Sequence, residues 1–364
     1  ILLNFTHNHT SPDTLFSMPP EWVTWTTWLA DQVAGVVFSA ANQAVPVSVG
    51  AAVGALNDWT VNRQYPEKAI DTSVGVMCVD DDDRHPIARL VNFACHGVAD
   101  GGQYLEWSGD FAGEMSAEIE TQVSGSVALY VQGAAGDICP FDWWFGNNAS
   151  EHLHSHEDTA LLGKSLANAA LTVADMVEVS SEVQLGVATA HATLPRHRVN
   201  WSLAKAVENR DQLVATLPSY SRDTWLPGTT TANSAELHPE LYGAGHNEVA
   251  LATNRDLPAV GVTIRGFRIG DTLISAHAGE LFNELGSEIK AAFPDKQPWV
   301  ASYCDDYIGY ISTRQPHNEI EDIPVTEIVD MKKYRRYYGT TTSPYAPEAG
   351  EALVKTAIDV LKTL

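Results

Sequence analysis

The feature that most restricts the fold of this sequence is the presence of two patterns of strands. Some strands are predicted to form hairpin-like pairs, and others alternate singly with helices. Apolar runs at 73–79 and 86–95 flank an acidic loop, Asp80–Asp83, and residues 258–277 predict two strands joined at Gly270-Asp271. Strand pairs of this kind, combined with helices between other strands, are typical of a mixed sheet. The pattern therefore predicts one α/β domain over residues 1–364, with a mixed sheet covered by helices and a functional site at strand ends.

Apolar periodicity assigns most of the remaining chain to helices or strands. Helices are expected at 20–43, 110–123, 157–177, 201–217 and 347–363, and another directly from Gly279. Further strands are expected at Val127–Gln132, at 183–194 and within 298–312. Trp22, Trp25 and Trp28 recur at helical spacing, which predicts a buried stripe on the first helix. Residues 218–247 are rich in Pro, Gly, Thr and Ser and are expected to form a long loop.

The charge and cysteine content argue against several classes of protein. The 364 residues include 46 acidic and 22 basic residues, for a net charge of −24. Nucleic-acid binding is not expected, because a phosphate backbone favours a basic face. No run of 18 apolar residues occurs, so no transmembrane segment is expected. The four cysteines are widely spaced without a C-x-x-C, which argues against a zinc ribbon and against a dense disulfide framework.

Two histidines close to the start of the chain are the first candidates for chemistry. The apolar run Ile1–Phe5 leads into Thr6-His7-Asn8-His9. Because residues two apart in a strand point to the same face, His7 and His9 are predicted to leave one sheet edge together. Two imidazoles on a rigid element begin a catalytic metal site, although a strand end carrying two polar residues is the commoner meaning of H-x-H.

Other candidate ligands also lie where strands are expected to end. His96 follows the strand at 86–95, Glu280 is expected to begin a helix, and Tyr307 and Tyr310 end another strand. Two imidazoles and a carboxylate are a usual ligand set for a catalytic zinc ion, which keeps a water in its fourth position. His7, His96 and Glu280 would supply that set. Each also has a purely structural interpretation, since a strand-end His is commonly just hydrogen-bonded and a Glu favours a helix N-terminus.

The segment Gly133–Pro140 combines small residues with two reactive side chains. Its glycines and alanines allow another backbone or a ligand to approach closely. Asp137 and Cys139 would share a face if the segment is extended. Cys139 is either a buried small hydrophobe or a reactive thiol, and both interpretations stay open at this stage.

Eight segments, in order along nearly the whole chain, resemble the catalytic domain of the neutral (alkaline, non-lysosomal) ceramidase family. They are LLNFTHNHTSPD, VNRQYP, LVNFACHGV, WSGDFAGEMSAEIE, VQGAAGDICP, LISAHAGELFNELGSEIK, YIGYISTRQ and YYGTTTSPYAPEAGEALV. They are similar to the family's T-H-T-H-S-x-P, N-R, N-F-A-x-H-P, S-G-D-x-x-G, Q-x-x-x-G-D-x-S-P, x-P-G-E, Y-x-x-Y-x-T-T/R and Y-E-x-x-x-S-x-F/Y-x-P. The order of the eight makes the resemblance specific.

The resemblance implies a hydrolase that uses one zinc ion (Zn2+) to cleave the amide of N-acylsphingosines. It places the metal on four residues: His7, His96, Glu280 and Tyr310. It places five more in the surrounding site: His9, Arg63, Asp137, Cys139 and Tyr338. Tyr307 is the alternative to Tyr310 as the metal ligand, and Tyr337 is the alternative to Tyr338 as the tyrosine of the surrounding site.

The main departure from the family is Cys139, which stands where the family has a serine. Cys139 could be a nucleophile, a bystander or a metal ligand. We expect it to be a bystander and a zinc-activated water to attack the amide, because that mechanism does not require the serine that Cys139 replaces. His9 or Tyr338 would stabilise the developing oxyanion, and Asp137 would orient groups or accept protons. Arg63 would bind a polar or anionic part of the substrate.

The resemblance also sets expectations for substrate, partners and location. Ceramide or a ceramide-like lipid is the expected substrate, with a peripheral membrane contact, and Trp143, Trp144 and Phe145 either line an apolar slot or fill a core. A secreted or periplasmic location is expected, and the family's first strands and C-terminal β-sandwich are expected to be absent from this chain. His152, His154 and His156 predict a solvated loop with incidental metal affinity. Two alternative functions stay open: hydrolysis of a smaller amide or ester, and zinc binding after loss of catalysis.

Overall fold

The computed structural model describes residues 1–11, 20–100, 104, 106–140, 155–196, 259–323, 335–341 and 343–364. Several sequence expectations lie outside these residues: the helix at 201–217, the loop at 218–247, the aromatic residues Trp143, Trp144 and Phe145, and the histidines His152 and His154.

The described elements follow one another as strands and helices of very different lengths. The first half contains α1 (Pro20–Asn42), β1 (Val47–Ala55), β2 (Thr60–Asn62), β3 (Ser73–Asp81), β4 (Pro86–Phe93), α2 (Asp110–Gln122), β5 (Val127–Gln132), β6 (Ile138–Pro140) and α3 (His156–Ala174). The second half contains β7 (Leu185–Pro195), β8 (Ala259–Ile269), β9 (Thr272–Ala276), β10 (Glu280–Leu281), α4 (Asn283–Ala291), β11 (Gln297–Ala301), β12 (Tyr310–Ile311), α5 (Arg314–Ile320), a 3-10 turn (Arg335–Tyr337), α6 (Tyr338–Thr341) and α7 (Ala349–Leu361).

The first sheet has the strand order β1-β3-β4-β5. Strand β3 runs antiparallel to both of its neighbours, β1 and β4, and β5 runs parallel to β4. Alternate residues of β3 and β4, including Val74, Val76, Val91 and Phe93, pack under α2 and α3 in one buried apolar cluster. The alternation follows from the two-residue repeat of a strand, which turns every second side chain towards the helices.

The second sheet has the order β11-β9-β8-β7, with β11 parallel to β9 and the other pairs antiparallel. The turn between β8 and β9 falls at Gly270-Asp271, as predicted, and Gly270 adopts a φ of +60° that favours glycine. The amphipathic helix α7 lays Leu353 and Ala357 against this sheet, where they share a core with Leu194 and Ile264.

The two sheets meet where β11 approaches the first sheet. The Asn92 side chain of β4 donates hydrogen bonds to the carbonyl oxygens of Val131 and Val300, both at 2.9 Å. Gly75 of β3 has no side chain at the point where the Trp299 indole enters, and a Cβ there would lie 2.4 Å from Trp299 Nε1. This close approach brings the ends of strands from both sheets to one place.

The predicted α/β class with a mixed sheet is confirmed, and most long elements fall within a few residues of their predicted bounds. The expected strand at the start of the chain is wrong, because residues 1–11 form only isolated bridges. The expected helix from Gly279 is also wrong, since Glu280 lies in the short strand β10 and the helix begins at Asn283. The Trp stripe is wrong at Trp28, whose side chain is 54% exposed.

Candidate active site

Two short strand pairs assemble the candidate site. Strand β6 pairs antiparallel with β2, which sets Cys139 opposite Val61, and β10 pairs parallel with β12, which sets Glu280 opposite Tyr310. The two pairs touch at Gly136, where an added Cβ would lie 2.5 Å from the Glu280 carbonyl oxygen. A glycine is therefore required at this contact, and it brings the Cys139 loop against the strand that carries Glu280.

The N-terminal segment completes the site without forming a strand. Asn8 makes a bridge to Gly97, and a Cβ on Gly97 would lie 2.7 Å from Asn8 Cα. His7 has a φ of 57°, in the left-handed region that non-glycine residues rarely adopt. The prediction that His7 and His9 lie together is confirmed, since their Nε2 atoms are 3.2 Å apart, but a sharp bend rather than a strand brings them together.

Glu280 lies between two histidines at the centre of this site. Its Oε2 atom is 3.3 Å from His7 Nε2 and 3.3 Å from His96 Nε2. Two donors bound at about 2.0–2.1 Å to one tetrahedral zinc ion lie about 3.3 Å apart, so these spacings fit a shared metal. The nearest nitrogens of His7, His9 and His96 also lie within 4.8 Å of one another.

The protonation of His96 suits a metal ligand. Its Nδ1 atom donates to the Ala135 carbonyl oxygen at 2.5 Å, which leaves the lone pair on Nε2 facing Glu280. Burial, reinforced by the charge of Arg63, lowers the pKa of His96 to about 4, so the imidazole is neutral near neutral pH. The buried Nε2 atom has no hydrogen-bond partner among the described residues, as expected for a donor that binds a metal.

The Glu280 carboxylate is held in its charged form. Burial alone would raise the pKa of Glu280, but His7 and His96 outweigh burial and hold it well below its usual range. A carboxylate and imidazole nitrogens are donors that a divalent metal binds, and a metal held there would increase the acidity of water and polarise a carbonyl group. Among the described residues, His7, His9 and His96 form the one group whose donors converge closely enough to suggest a metal site.

Two solved protein structures have a fold similar to that of this chain. No protein-family profile and no curated protein sequence matches this chain. A solved ceramidase complexed with C2 is similar with a TM-score of 0.58 and 16% identity over 87% of this chain and 53% of that one. Neutral ceramidase from Pseudomonas aeruginosa is similar with a TM-score of 0.56 and 17% identity over 88% of this chain and 53% of that one. The chain has the fold of the neutral ceramidases. It spans about half the length of these two structures.

Within this ceramidase fold, two tyrosines bind Glu280 directly. Tyr307 donates a hydrogen bond to its Oε1 atom, and Tyr303 donates to its Oε2 atom at 3.2 Å. Tyr307 lies in a loop before β12 rather than at a strand end. Tyr303 was not anticipated, because its position after β11 and its φ of 56° depend on tertiary contacts. An aromatic residue directly after a buried strand was the one available signal.

Arg63 is buried inside the candidate site rather than exposed at its surface. Its Nη2 atom donates to the Gly136 carbonyl oxygen at 2.6 Å and to the Tyr310 hydroxyl at 3.0 Å. Its Nη1 atom lies 3.8 Å from Cys139 Sγ. These donors contact the protein itself, so Arg63 fixes the orientation of Tyr310 and the Cys139 loop in this structure.

Asp137 is tied to structural groups on both of its oxygens. The Asn62 side chain donates to Oδ2 at 2.6 Å, and the Asn283 backbone N–H donates to Oδ1 at 2.7 Å. Burial raises the pKa of Asp137. The carboxyl group joins β2, the Cys139 loop and the start of α4, and Asn62 and Asn283 were not anticipated from the sequence.

Tyr337 and Tyr338, the two alternatives for one tyrosine of the site, point in different directions. The Tyr338 ring lies edge-on to Tyr310, with centroids 5.9 Å apart. The Tyr337 hydroxyl donates to Glu319 at 2.7 Å and accepts from Arg336 at 2.6 Å. Tyr338 is therefore the member of the pair that lies beside the site.

His156 does not lie in the solvated loop expected for it. It is the first residue of α3, its ring stacks on Tyr104, and its Nδ1 atom lies 3.0 Å from Asp100 Oδ1. The hydrogen bond to Asp100 raises the pKa of His156. This pairing gives His156 a structural role at the start of α3.

The helices give no indication of a membrane-spanning segment. Across the parts of the chain that the structure describes, none of them is both long and apolar enough to cross a bilayer.

Proposed function

We propose that this protein is a zinc-dependent amide hydrolase that acts on N-acyl substrates, with ceramide or a ceramide-like lipid as the expected substrate. One observation carries the proposal: the Glu280 carboxylate oxygen lies 3.3 Å from the Nε2 atoms of both His7 and His96. The neutral ceramidase fold supports the choice of reaction. The substrate is inferred from the activity named for those structures, of which this chain covers about half.

The proposed metal ligands are His7, His96 and Glu280, with Tyr310 as the fourth candidate. When bound, a zinc ion would polarise the amide carbonyl and increase the acidity of water. His96 is fixed by the Ala135 carbonyl oxygen, and Glu280 by two tyrosine hydroxyls, so these ligands are oriented in advance. Pre-oriented ligands favour the metal because little side-chain freedom is lost on binding.

The remaining site residues have roles that follow from their positions. His9 is the exposed member of the histidine group, so it faces the side from which a substrate can enter. From there its imidazole can donate a hydrogen bond to the carbonyl oxygen as negative charge develops. Arg63 donates to the Tyr310 hydroxyl and so sets the direction of that group towards the site. Asp137 keeps the Cys139 loop in place and is a positioning residue in this proposal.

The proposal is tested by measuring zinc content and hydrolysis of fluorescent N-acylsphingosines of several acyl lengths, before and after chelation. We expect chelator-sensitive turnover and about one zinc per chain. Preference for short acyl chains would point to a smaller amide as the natural substrate. Turnover that is unchanged by complete metal removal would refute the proposed chemistry.

A matched pair of variants strengthens this test. Glu280→Gln keeps the shape of the side chain and removes its charge, and we expect zinc affinity to fall by more than the roughly 100-fold typical of groups that only support a ligand. Glu284→Gln makes the same change on an exposed side chain of α4 and should leave zinc affinity and turnover unchanged. Equal zinc affinity and turnover in the two variants would show that Glu280 is not a metal ligand.

A further inference from the structure

Tyr303 contacts two of the proposed metal ligands at once. Its ring stacks on the His7 imidazole with centroids 4.3 Å apart and planes inclined by 21°, and its hydroxyl donates to Glu280 Oε2 at 3.2 Å. His7 and Glu280 lie far apart in the sequence, and Tyr303 bridges them, whereas Tyr307, which also bonds Glu280, has its ring centroid 6.4 Å from that of His7. Tyr303 is 2% exposed, which protects both contacts from water.

The backbone around Tyr303 is shaped for these contacts. Tyr303 has a φ of 56° and His7 a φ of 57°, both in the left-handed region that costs energy for residues with a side chain. Such conformations persist where neighbouring structure enforces them. Here the two segments are bonded together, since Phe5 N–H donates to the Tyr303 carbonyl oxygen at 3.1 Å and Asp305 N–H donates to the Leu3 carbonyl oxygen at 2.9 Å.

The two oxygens of Glu280 are bound by different tyrosines. Tyr307 donates to Oε1, whereas Tyr303 donates to Oε2, the atom that faces both histidines. A carboxylate oxygen has two lone-pair directions, so Oε2 can accept from Tyr303 on one side and present the other side to a metal. Hydrogen bonds of this kind orient metal ligands and tune the metal they hold.

We infer that Tyr303 is a positioning residue that sets the geometry and affinity of the metal site by holding His7 and Glu280 Oε2 together. This assignment rests on the proposed zinc site, although it does not depend on which amide is cleaved. Tyr303 contacts the ligands and not the reacting atoms, so its effect is expected first in metal binding.

The test measures zinc affinity by competition with a chromophoric chelator and the visible spectrum of the Co2+-loaded protein. Tyr303→Phe removes the hydroxyl alone, and we expect zinc affinity to fall by about 10-fold with an altered Co2+ spectrum. Tyr303→Leu also removes the stacked ring and should lower zinc affinity further. The melting temperature of the metal-free Tyr303→Phe protein should stay close to that of the metal-free wild type, which separates ligand positioning from a general loss of stability.

Tyr345→Phe is the matched control, because it deletes a tyrosine hydroxyl that is equally buried and that, within the described part of the chain, bonds neither Glu280 nor a histidine. It should leave zinc affinity and the Co2+ spectrum unchanged. A Tyr303→Phe protein with wild-type zinc affinity and spectrum would overturn the assignment, even if Tyr303→Leu fails to fold. A wild-type protein that binds zinc without turnover would overturn the proposed hydrolase and leave this test of Tyr303 intact. A wild-type protein that binds no zinc would overturn both.

Discussion

The Nε2 atom of His96 lies 3.3 Å from Glu280 Oε2, in the interior of the protein and with no other hydrogen-bond partner among the described residues. A neutral imidazole nitrogen and an ionised carboxylate both carry lone pairs, so their close approach is favourable only when a proton or a metal ion lies between them. In the neutral ring the one N–H is at Nδ1, which donates a hydrogen bond to the Ala135 carbonyl oxygen. This arrangement supports the proposal that the two side chains share a metal.

Replacement of His96 by alanine should remove both metal and activity. The side chain supplies a buried donor at the proposed metal site, so His96→Ala is expected to lose stoichiometric zinc and to lower turnover by at least roughly 100-fold. Metal analysis and an N-acylsphingosine assay check this. His85→Ala, in the exposed turn between β3 and β4, is the control and should behave as wild type. Full activity in His96→Ala would show that His96 is not part of the active site.

Replacement of His9 separates metal binding from stabilisation of the oxyanion. Glu280 Oε2 lies 3.3 Å from the Nε2 atoms of both His7 and His96, whereas His9 contacts the imidazole of His7, with their Nε2 atoms 3.2 Å apart. We therefore expect His9→Ala to retain zinc while kcat falls by roughly 100-fold, the usual cost of losing one oxyanion donor. Zinc content and steady-state kinetics measure the two effects. Loss of zinc from His9→Ala would instead make His9 a ligand.

Long elements of the fold could be predicted from the sequence because their signals are local. The strand Val127–Gln132 was predicted at its observed bounds, and α2 ends within one residue of its prediction. Both carry a local apolar pattern. Helix α2 buries Phe111, Met115 and Ile119, whereas β5 buries every second residue and leaves Val127 53% and Leu129 49% exposed. Trp28 also lies on a helical apolar repeat, and yet its side chain is exposed. Such a repeat shows which residues share a face of the helix, but it does not show whether that face packs against the rest of the protein.

The details of the site depended on contacts that no local pattern records. Glu280 lies in a strand of two residues that exists because Tyr310 and Ile311, 30 residues further along, pair with it. The bend at His7 likewise depends on bridges that flank it, made by Asn4 to Cys304 and by Asn8 to Gly97. The residue types of the site were predictable, whereas the way in which they converge required the tertiary structure.

Replacement of Cys139 by serine tests whether sulfur takes part in the chemistry. Cys139 is buried in β6, with Arg63 Nη1 3.8 Å from its sulfur. If water attacks the amide, Cys139→Ser and Cys139→Ala should both keep most of the activity, with a fall of less than about 10-fold, whereas removal of a true nucleophile in Cys139→Ala would cost far more, up to about 10⁶-fold. Cys78→Ser, at a buried thiol of β3 beneath α3, is the control for the cost of a buried hydroxyl. Abolished turnover with zinc retained would favour covalent catalysis.

The ion pair between Asp71 and Lys290 should make stability depend on pH, because it anchors the helix that follows Glu280. The Lys290 Nζ atom lies 2.6 Å from Asp71 Oδ2, and both side chains are mostly buried. Burial alone would raise the pKa of Asp71, but Lys290 outweighs burial and lowers it. The stabilisation is thus fully present above the ordinary aspartate pKa of about 3.9 and is lost as the pH falls through the lowered native value.

Lys290→Met should therefore lower the free energy of unfolding by about 1–2 kcal/mol near neutral pH, between the values typical of exposed and buried pairs. The difference from wild type should shrink as the pH is lowered below about 4, because the Asp71 carboxylate becomes protonated in both proteins. Urea denaturation at a series of pH values measures this. Lys355→Met breaks the exposed pair with Asp359 and should change stability by less than about 0.5 kcal/mol. A stability difference for Lys290→Met that is constant down to low pH would show that the lysine acts through packing rather than through its charge.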